Sequence, residues 1–212
     1  MECHQTQKMK TLTTDQKKQI AAFFGLEYKT VSAVMTVESS GHGFDPVTGL
    51  ILIQFEPYIF HKQLLAAKID HKFEVIYKVV NGIKKIDKYK ITTGEHIIIN
   101  GIEGQTSEWI AYNIALQINA NCAMLSTSFG LGQIMGFNFN AAGFLSVEKM
   151  IEKFNESEAE QLMGMLKFIT ANKLMFAFLK CKTWDKFAAL YNGPAYKENN
   201  YDIRLQTAYD RA

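Results

Sequence analysis

Three carboxylates, Glu38, Asp45 and Glu56, and a run of small residues carry the chemistry open to this chain. Val31, Val34, Met35 and Glu38 stand at i, i+3, i+4 and i+7, the spacing of one buried helix face. A small loop, Ser39-Ser40-Gly41-His42-Gly43, follows at once. A carboxylate on such a face is costly to ionise unless something pairs with it, so its pKa rises and it keeps a proton to donate near neutral pH. That is the requirement for a general acid. A Glu that ends its helix and turns back to solvent, or one held in a structural ion pair, fits the same pattern. The nearest partner carboxylates are Asp45, in the turn Asp45-Pro46-Val47-Thr48-Gly49, and Glu56, at the end of the next apolar run. Glycoside hydrolysis uses such a pair: one group protonates the leaving oxygen, and the other activates water or stabilises the oxocarbenium-like transition state. Asp45 equally suits capping its own turn. Glu56, beside Pro57, equally suits a helix N-terminus, where the dipole favours negative charge.

Two further stretches supply recognition groups. Ser126-Thr127-Ser128-Phe129-Gly130-Leu131-Gly132-Gln133-Ile134-Met135-Gly136 combines glycines that let backbone approach a ligand with Gln133, which both donates and accepts. It lacks the GxxxxGK(S/T) pattern of a phosphate loop, and a tight helix-to-helix connection is its structural reading. Tyr191-Asn192-Gly193-Pro194 closes an apolar helix with stop chemistry, and its ring and amide also suit sugar. His4, His42, His61, His71 and His96 lack metal-ligand spacing, so no metal and no cofactor is expected. Cys122 and Cys181 read as small core residues.

These groups need elements to hold them. Thr13 or Thr14 caps a helix running to about Phe24, and a second runs from about Glu27 to Glu38. Leu50 to Phe55 reads as a short buried strand, and Glu56-Pro57 opens a helix with Phe60, Leu64 and Leu65. Phe73, Val75, Tyr77 and Val79 alternate, and Asn81-Gly82 signals a hairpin. Trp109, Ile110, Ile114 and Ile118 predict a helical face ending near Cys122. Leu162, Met165, Leu166 and Ile169 predict another, as do Trp184, Phe187, Ala188 and Tyr191, with a last helix over about Tyr201 to Arg211. The expected architecture is α+β, mostly helical, with a small β element just after Glu38. Residues 1–14 form a lead, and 15–212 a single domain in which 72–103 is the variable, Lys-rich part.

A hydrophobic share of 48% and a charged share of 21% are those of a folded globular protein. Three cysteines without a CxxC pair read as reduced thiols. The first ten residues have no apolar core for a signal peptide. A net charge of +2 does not argue for nucleic acid. Residues 61–90 nevertheless hold eight Lys against Asp70, Glu74 and Asp87, a face that suits an anionic polymer or envelope surface as well as plain solvent. Glu148, Glu152, Glu156, Glu158 and Glu160 make a later acidic stretch.

VESSGHGFDP, LILIQFEPYIFHK, SFGLGQIMGFNFNAAGF and ALYNGPAYKENNYDIRLQTAYDRA, in this order, resemble the phage endolysin N-acetylmuramidase domain family over about residues 15 to 212. That family is similar to goose-type lysozymes and lytic transglycosylases, which carry a Glu-Ser pair, a GLxQ segment and a Tyr-Asn pair in the same order. The resemblance implies a lysozyme-like fold, Glu38 as catalytic acid, and Glu56, in a Phe-Glu motif, as a site residue; Asp45, from its place after Glu38, stays the other candidate second carboxylate. By the resemblance Ser39, Gly130, Gln133, Tyr191 and Asn192 line the glycan cleft, and Ser128, beside Gly130, and His42, on the loop after Glu38, are further candidate contacts with substrate. The resemblance implies a peptidoglycan substrate; separately, no nucleic-acid partner, no insertion into the membrane and a monomer are expected. It further implies synthesis in a bacterial cytoplasm and action in the periplasm after holin-type release. Hydrolysis, a transglycosylase reaction giving 1,6-anhydro ends, and non-catalytic binding on the same scaffold all stay open at this point.

Overall fold

The computed structural model describes residues 10–100 and 104–212; the expectations for Cys3 and His4 lie outside them. Helix α1 (Thr14–Phe23) starts on a capping box between Thr13 and Gln16. The described end of the lead is tied down: Leu12 N–H donates to Glu158 Oε2 (2.8 Å) and Lys10 C=O accepts from Glu158 N–H. Helix α2 (Tyr28–Ser39) buries Val31, Val34 and Met35 and ends at Ser40, whose φ of +55° turns the chain away.

A small β element after Glu38 and a hairpin at Asn81-Gly82 were expected, and both belong to three-stranded sheets. The first joins β1 (Ile53–Phe55) to strands far along the chain. After α3 (Pro57–Ala66), β2 (Lys72–Val80), β3 (Ile83–Thr93) and β4 (His96–Asn100) form the second, an antiparallel sheet in the order β2-β3-β4. The helical face expected to end near Cys122 is carried by two helices, α4 (Gln105–Ile118) and α5 (Ala120–Leu125). They break at Asn119, whose carboxamide oxygen caps Cys122 N–H at 2.9 Å.

The glycine-rich stretch is a hairpin, not a helix-to-helix connection. In it β5 (Thr127–Phe129) pairs with both β1 and β6 (Ile134–Met135), all antiparallel. Helices α6 (Val147–Glu156), α7 (Glu158–Ala171), α8 (Lys173–Lys180), α9 (Trp184–Tyr191) and α10 (Tyr201–Arg211) complete the chain. A single apolar core runs from Ala21 to Leu205 and includes Phe55, Phe60, Phe129, Phe154 and Phe187.

The outer edge of β1 is covered by side chains rather than by another strand. Gln105 on α4 accepts from Ile53 N–H (2.9 Å) and donates to Ile53 C=O (2.8 Å). Glu108, one turn on, accepts from Phe55 N–H (2.8 Å), and Asn100 donates to Phe55 C=O (3.1 Å). A sheet edge satisfied this way cannot recruit a further strand, and it brings α4 beside the end of α2.

Two readings of single residues need correction. Cys122 is buried, but Cys181 is exposed rather than a core residue. Glu158 does not belong to a solvated acidic stretch: it is only 2% exposed and accepts from Leu12 and Gly43 N–H.

Candidate active site

Glu38 stands on the last turn of α2, where the apolar stripe of that helix fixes its direction. Its Oε1 accepts from Asn192 Nδ2 at 2.9 Å. Arg204 on α10 donates to Val37 C=O (2.9 Å) and lends some positive potential. Desolvation outweighs both, and the Glu38 pKa is pushed up to about 7.

Glu38 opens onto two adjoining cavities that share it with Gln54 and Gln133. One, of about 330 Å3, is walled by Ser39, Ser40, Gln54, Gln105, Glu108 and Gln133. The other, of about 300 Å3, is walled by Gln54, Glu56, Ser128, Tyr191, Asn192 and Tyr201, among others. Together they make a polar trough with Glu38 in its middle.

Glu56 lies in the second cavity. Burial and then the neighbouring Glu108 charge raise its pKa to about 7, against a hydrogen bond from Gln54 Nε2 (2.9 Å). Glu108 is itself raised by burial. The trough therefore holds two carboxylates poised near neutrality, a condition that separates acid and base roles in many sites.

Asp45 is elsewhere. Its Oδ1 accepts from Val47 N–H, Thr48 N–H and Thr48 Oγ1, which hold its pKa below the ordinary carboxylate value. Those bonds make it the cap of its own turn, and it lines neither cavity. His42 is exposed on the loop after α2 and also lines neither.

The other expected residues converge. Ser39 Oγ donates to Leu131 C=O (2.8 Å), tying the end of α2 to the glycine-rich hairpin. Gln133 adopts a left-handed φ of +46°, and its amide is fastened by Ser128 Oγ (2.9 Å) and Gly130 C=O (2.8 Å). A non-glycine residue held there is strained, a condition common at ligand clamps. Tyr191 donates to Gly132 C=O (2.7 Å) and stacks on Phe187, so its hydroxyl braces the hairpin. Asn192 spends its amide protons on Glu38, while its buried Oδ1 has no partner among the described residues. A buried acceptor of that kind calls for a donor.

Several residues went unread in the sequence. Gln161 is fully buried on α7, accepting from Leu131 N–H (2.8 Å) and donating to Phe154 C=O (2.8 Å). With Glu158 it staples the loop after α2 to the hairpin. A Cβ on Gly43 or Gly130 would overlap the Gln161 amide, and Gly130 also has a φ of +71°, so both must be glycine. Gln54, Gln105, Glu108 and Tyr201 likewise line the trough. Nothing in their spacing assigned them to a site; the packing of α4 on β1 and of α10 on α2 brings them in.

A buried carboxylate with a raised pKa, in a polar trough beside a small sheet, is an arrangement that glycoside hydrolysis can use, and a solved structure agrees on the fold. The crystal structure of a Burkholderia AP3 phage endolysin is similar with a TM-score of 0.72 and 34% identity, over 96% of this chain and 71% of that one. The model of the N-acetylmuramidase family matches residues 27–212, and the chain belongs to that family. It is a glycoside hydrolase of the muramidase type, with peptidoglycan as substrate. No curated protein matches it.

Proposed function

We propose that the protein hydrolyses the β-1,4 bond between N-acetylmuramic acid and N-acetylglucosamine, with Glu38 as general acid and Glu56 as the carboxylate that activates water. The observation that carries this reading is the burial of Glu38 in the middle of the trough, where desolvation raises its pKa to about 7. Glu38 protonates the glycosidic oxygen as the bond breaks. Glu56, across Gln54 in the second cavity, removes a proton from the incoming water. The free Asn192 Oδ1 accepts from a sugar hydroxyl or acetamido N–H, and Gln133 presents a rigid amide to the same strand of sugars.

Mass spectrometry of fragments released from purified peptidoglycan tests the reaction. Reducing N-acetylmuramic acid ends, one water heavier than anhydro ends, are expected. Anhydro ends would replace hydrolysis by attack of the sugar's own 6-hydroxyl, and no new ends would leave a binding protein. The setting we propose is synthesis inside a bacterial host and action on the wall after the inner membrane opens. Fractionation of infected or induced cells before and after lysis onset tests it.

A further inference from the structure

The β2–β3 hairpin projects beyond the core. Its inner end is anchored: Ile91 and Ile98 are fully buried, and Phe73 stacks on His61 with ring centroids 4.2 Å apart. Outward of that anchor every residue from Ile76 to Ile86 is exposed. The eleven residues are Ile-Tyr-Lys-Val-Val-Asn-Gly-Ile-Lys-Lys-Ile, with six large apolar side chains, three lysines and no carboxylate.

The register sets Val79 beside Lys84 and Tyr77 beside Ile86 on one face; Lys78 beside Lys85 and Val80 beside Ile83 alternate with them on the other. Both faces of the tip are therefore apolar and cationic at once. Lys84 Nζ lies 4.2 Å from the Tyr77 ring centroid. The nearest acid, Asp87, lies inward of the tip and pairs with Lys78 at 2.8 Å. A tight Asn81-Gly82 turn, with φ of +51° and +76°, keeps the end compact.

We propose that this arm docks the protein onto a bilayer surface of anionic lipids. A solvent-facing hairpin ordinarily alternates apolar with polar residues, and large apolar side chains on both faces mark an interaction surface. The occupant must accept aliphatic side chains and neutralise lysines together. An anionic bilayer does both: valine and isoleucine enter at the acyl boundary, and lysines extend to headgroup phosphates. Glycans are gripped by flat rings and amides, of which this tip has Tyr77 and Asn81 alone, and a second copy of the arm would set lysine against lysine. The contact is peripheral. Five residues of strand reach only about 17 Å, and no single helix among the described residues is long and apolar enough to cross a membrane.

The test is co-sedimentation of the whole chain with vesicles, alongside hydrolysis of purified, lipid-free peptidoglycan. Wild type should bind phosphatidylglycerol/phosphatidylethanolamine vesicles at least tenfold better than phosphatidylcholine vesicles, and high salt should weaken the binding. The double variant Lys84→Gln/Lys85→Gln should bind roughly 25-fold more weakly, at about fivefold per lysine. Val79→Ser/Ile83→Ser should lose about tenfold or more, and both variants should degrade lipid-free peptidoglycan within about twofold of wild type. Equal binding to neutral and anionic vesicles, or no vesicle binding, would overturn the proposal. So would arm-dependent binding to lipid-free sacculi, or arm-dependent self-association in sedimentation velocity, without vesicle binding.

Discussion

The trough and the arm solve opposite problems with the same twenty residue types. In the trough and the staple behind it, polar groups are buried and held: Glu158 and Gln161 are almost wholly enclosed behind the hairpin, and Gln133 in the trough wall is fastened in a strained conformation by Ser128 and Gly130. In the arm, apolar groups stand in water, from Ile76 to Ile86. Each arrangement departs from what folding alone favours, since buried polar atoms and exposed aliphatic ones both cost free energy. The trough offsets its cost with hydrogen bonds inside the chain. No such compensation exists within the arm. The trough should therefore be rigid and sensitive to small changes, and the arm tolerant of substitution as far as the fold is concerned.

The largest effect expected is on Glu38. Glu38→Gln keeps an acceptor for Asn192 Nδ2 but has no proton to give, so kcat/KM should fall by about 10²–10⁴-fold. Stability should move the other way, and with pH. The folded-state pKa of about 7 lies above the ordinary 4.5, so the contribution of this group is fully present below pH 4.5 and is lost as pH rises through 7. Above that the wild type carries an ionised, desolvated carboxylate, and the variant should be the more stable by on the order of 1–3 kcal/mol at pH 8.5, with little difference at pH 5. Melting curves at the two pH values, with initial rates on purified peptidoglycan, check both halves.

Next comes Gln161→Leu, which keeps the size of the side chain and removes its amide. Leu131 N–H and Phe154 C=O, bonded to that amide at 2.8 Å each, would be left unsatisfied at about 1–3 kcal/mol apiece. Denaturant unfolding should show a loss of about 2–4 kcal/mol. Activity should fall as well, because the hairpin carrying Gln133 loses its staple to α7. An unchanged midpoint would mean that the trough is less tightly held than its hydrogen bonds indicate.

A smaller, more selective effect lies in the pH profile. On the proposed assignment Glu38 works protonated and Glu56 ionised, so two groups near pH 7 should give a narrow bell centred close to neutrality. Glu108→Gln can still accept from Phe55 N–H but removes the like charge that raises Glu56. The acid limb should move down by roughly half to one pH unit while the alkaline limb stays in place. Movement of the alkaline limb instead would assign the two carboxylates the other way round.

How legible each region was in the sequence follows from its physics. The end of α2 could be read because Val31, Val34, Met35 and Glu38 repeat with the helical period, and the first strand of the arm because Phe73, Val75, Tyr77 and Val79 alternate up to the Asn81-Gly82 turn. The β5–β6 hairpin could not. Thr127, Ser128 and Phe129 are all buried, so no alternation marks them, and their partner β1 lies 74 residues away at the Gln54–Ser128 pair. Glu158 and Gln161 were hidden for a related reason. A charged residue on a helix looks solvated until a distant loop brings Gly43 N–H, or Leu131 N–H, to meet it. Asp45 was recognisable as a carboxylate near the right helix, but its own turn claims it.

The smallest expected effect sharpens the contrast within a single strand. Ile91 and Ile83 are the same residue type on β3, one fully buried at the anchor and the other 60% exposed toward the tip. Ile91→Ala opens a cavity against Ile98 and should cost about 2–4 kcal/mol. Ile83→Thr, alone or with Val79→Thr, removes apolar surface that already faces water and keeps β-branched residues suited to a strand. Its effect on unfolding should stay within about 0.5 kcal/mol. If the tip substitution proved as damaging as the anchor one, the arm would be packed against something in the folded chain, and its aliphatic residues would need no partner outside it. If it is silent, the exposed face is not there for the fold, and vesicle binding is where its loss should register.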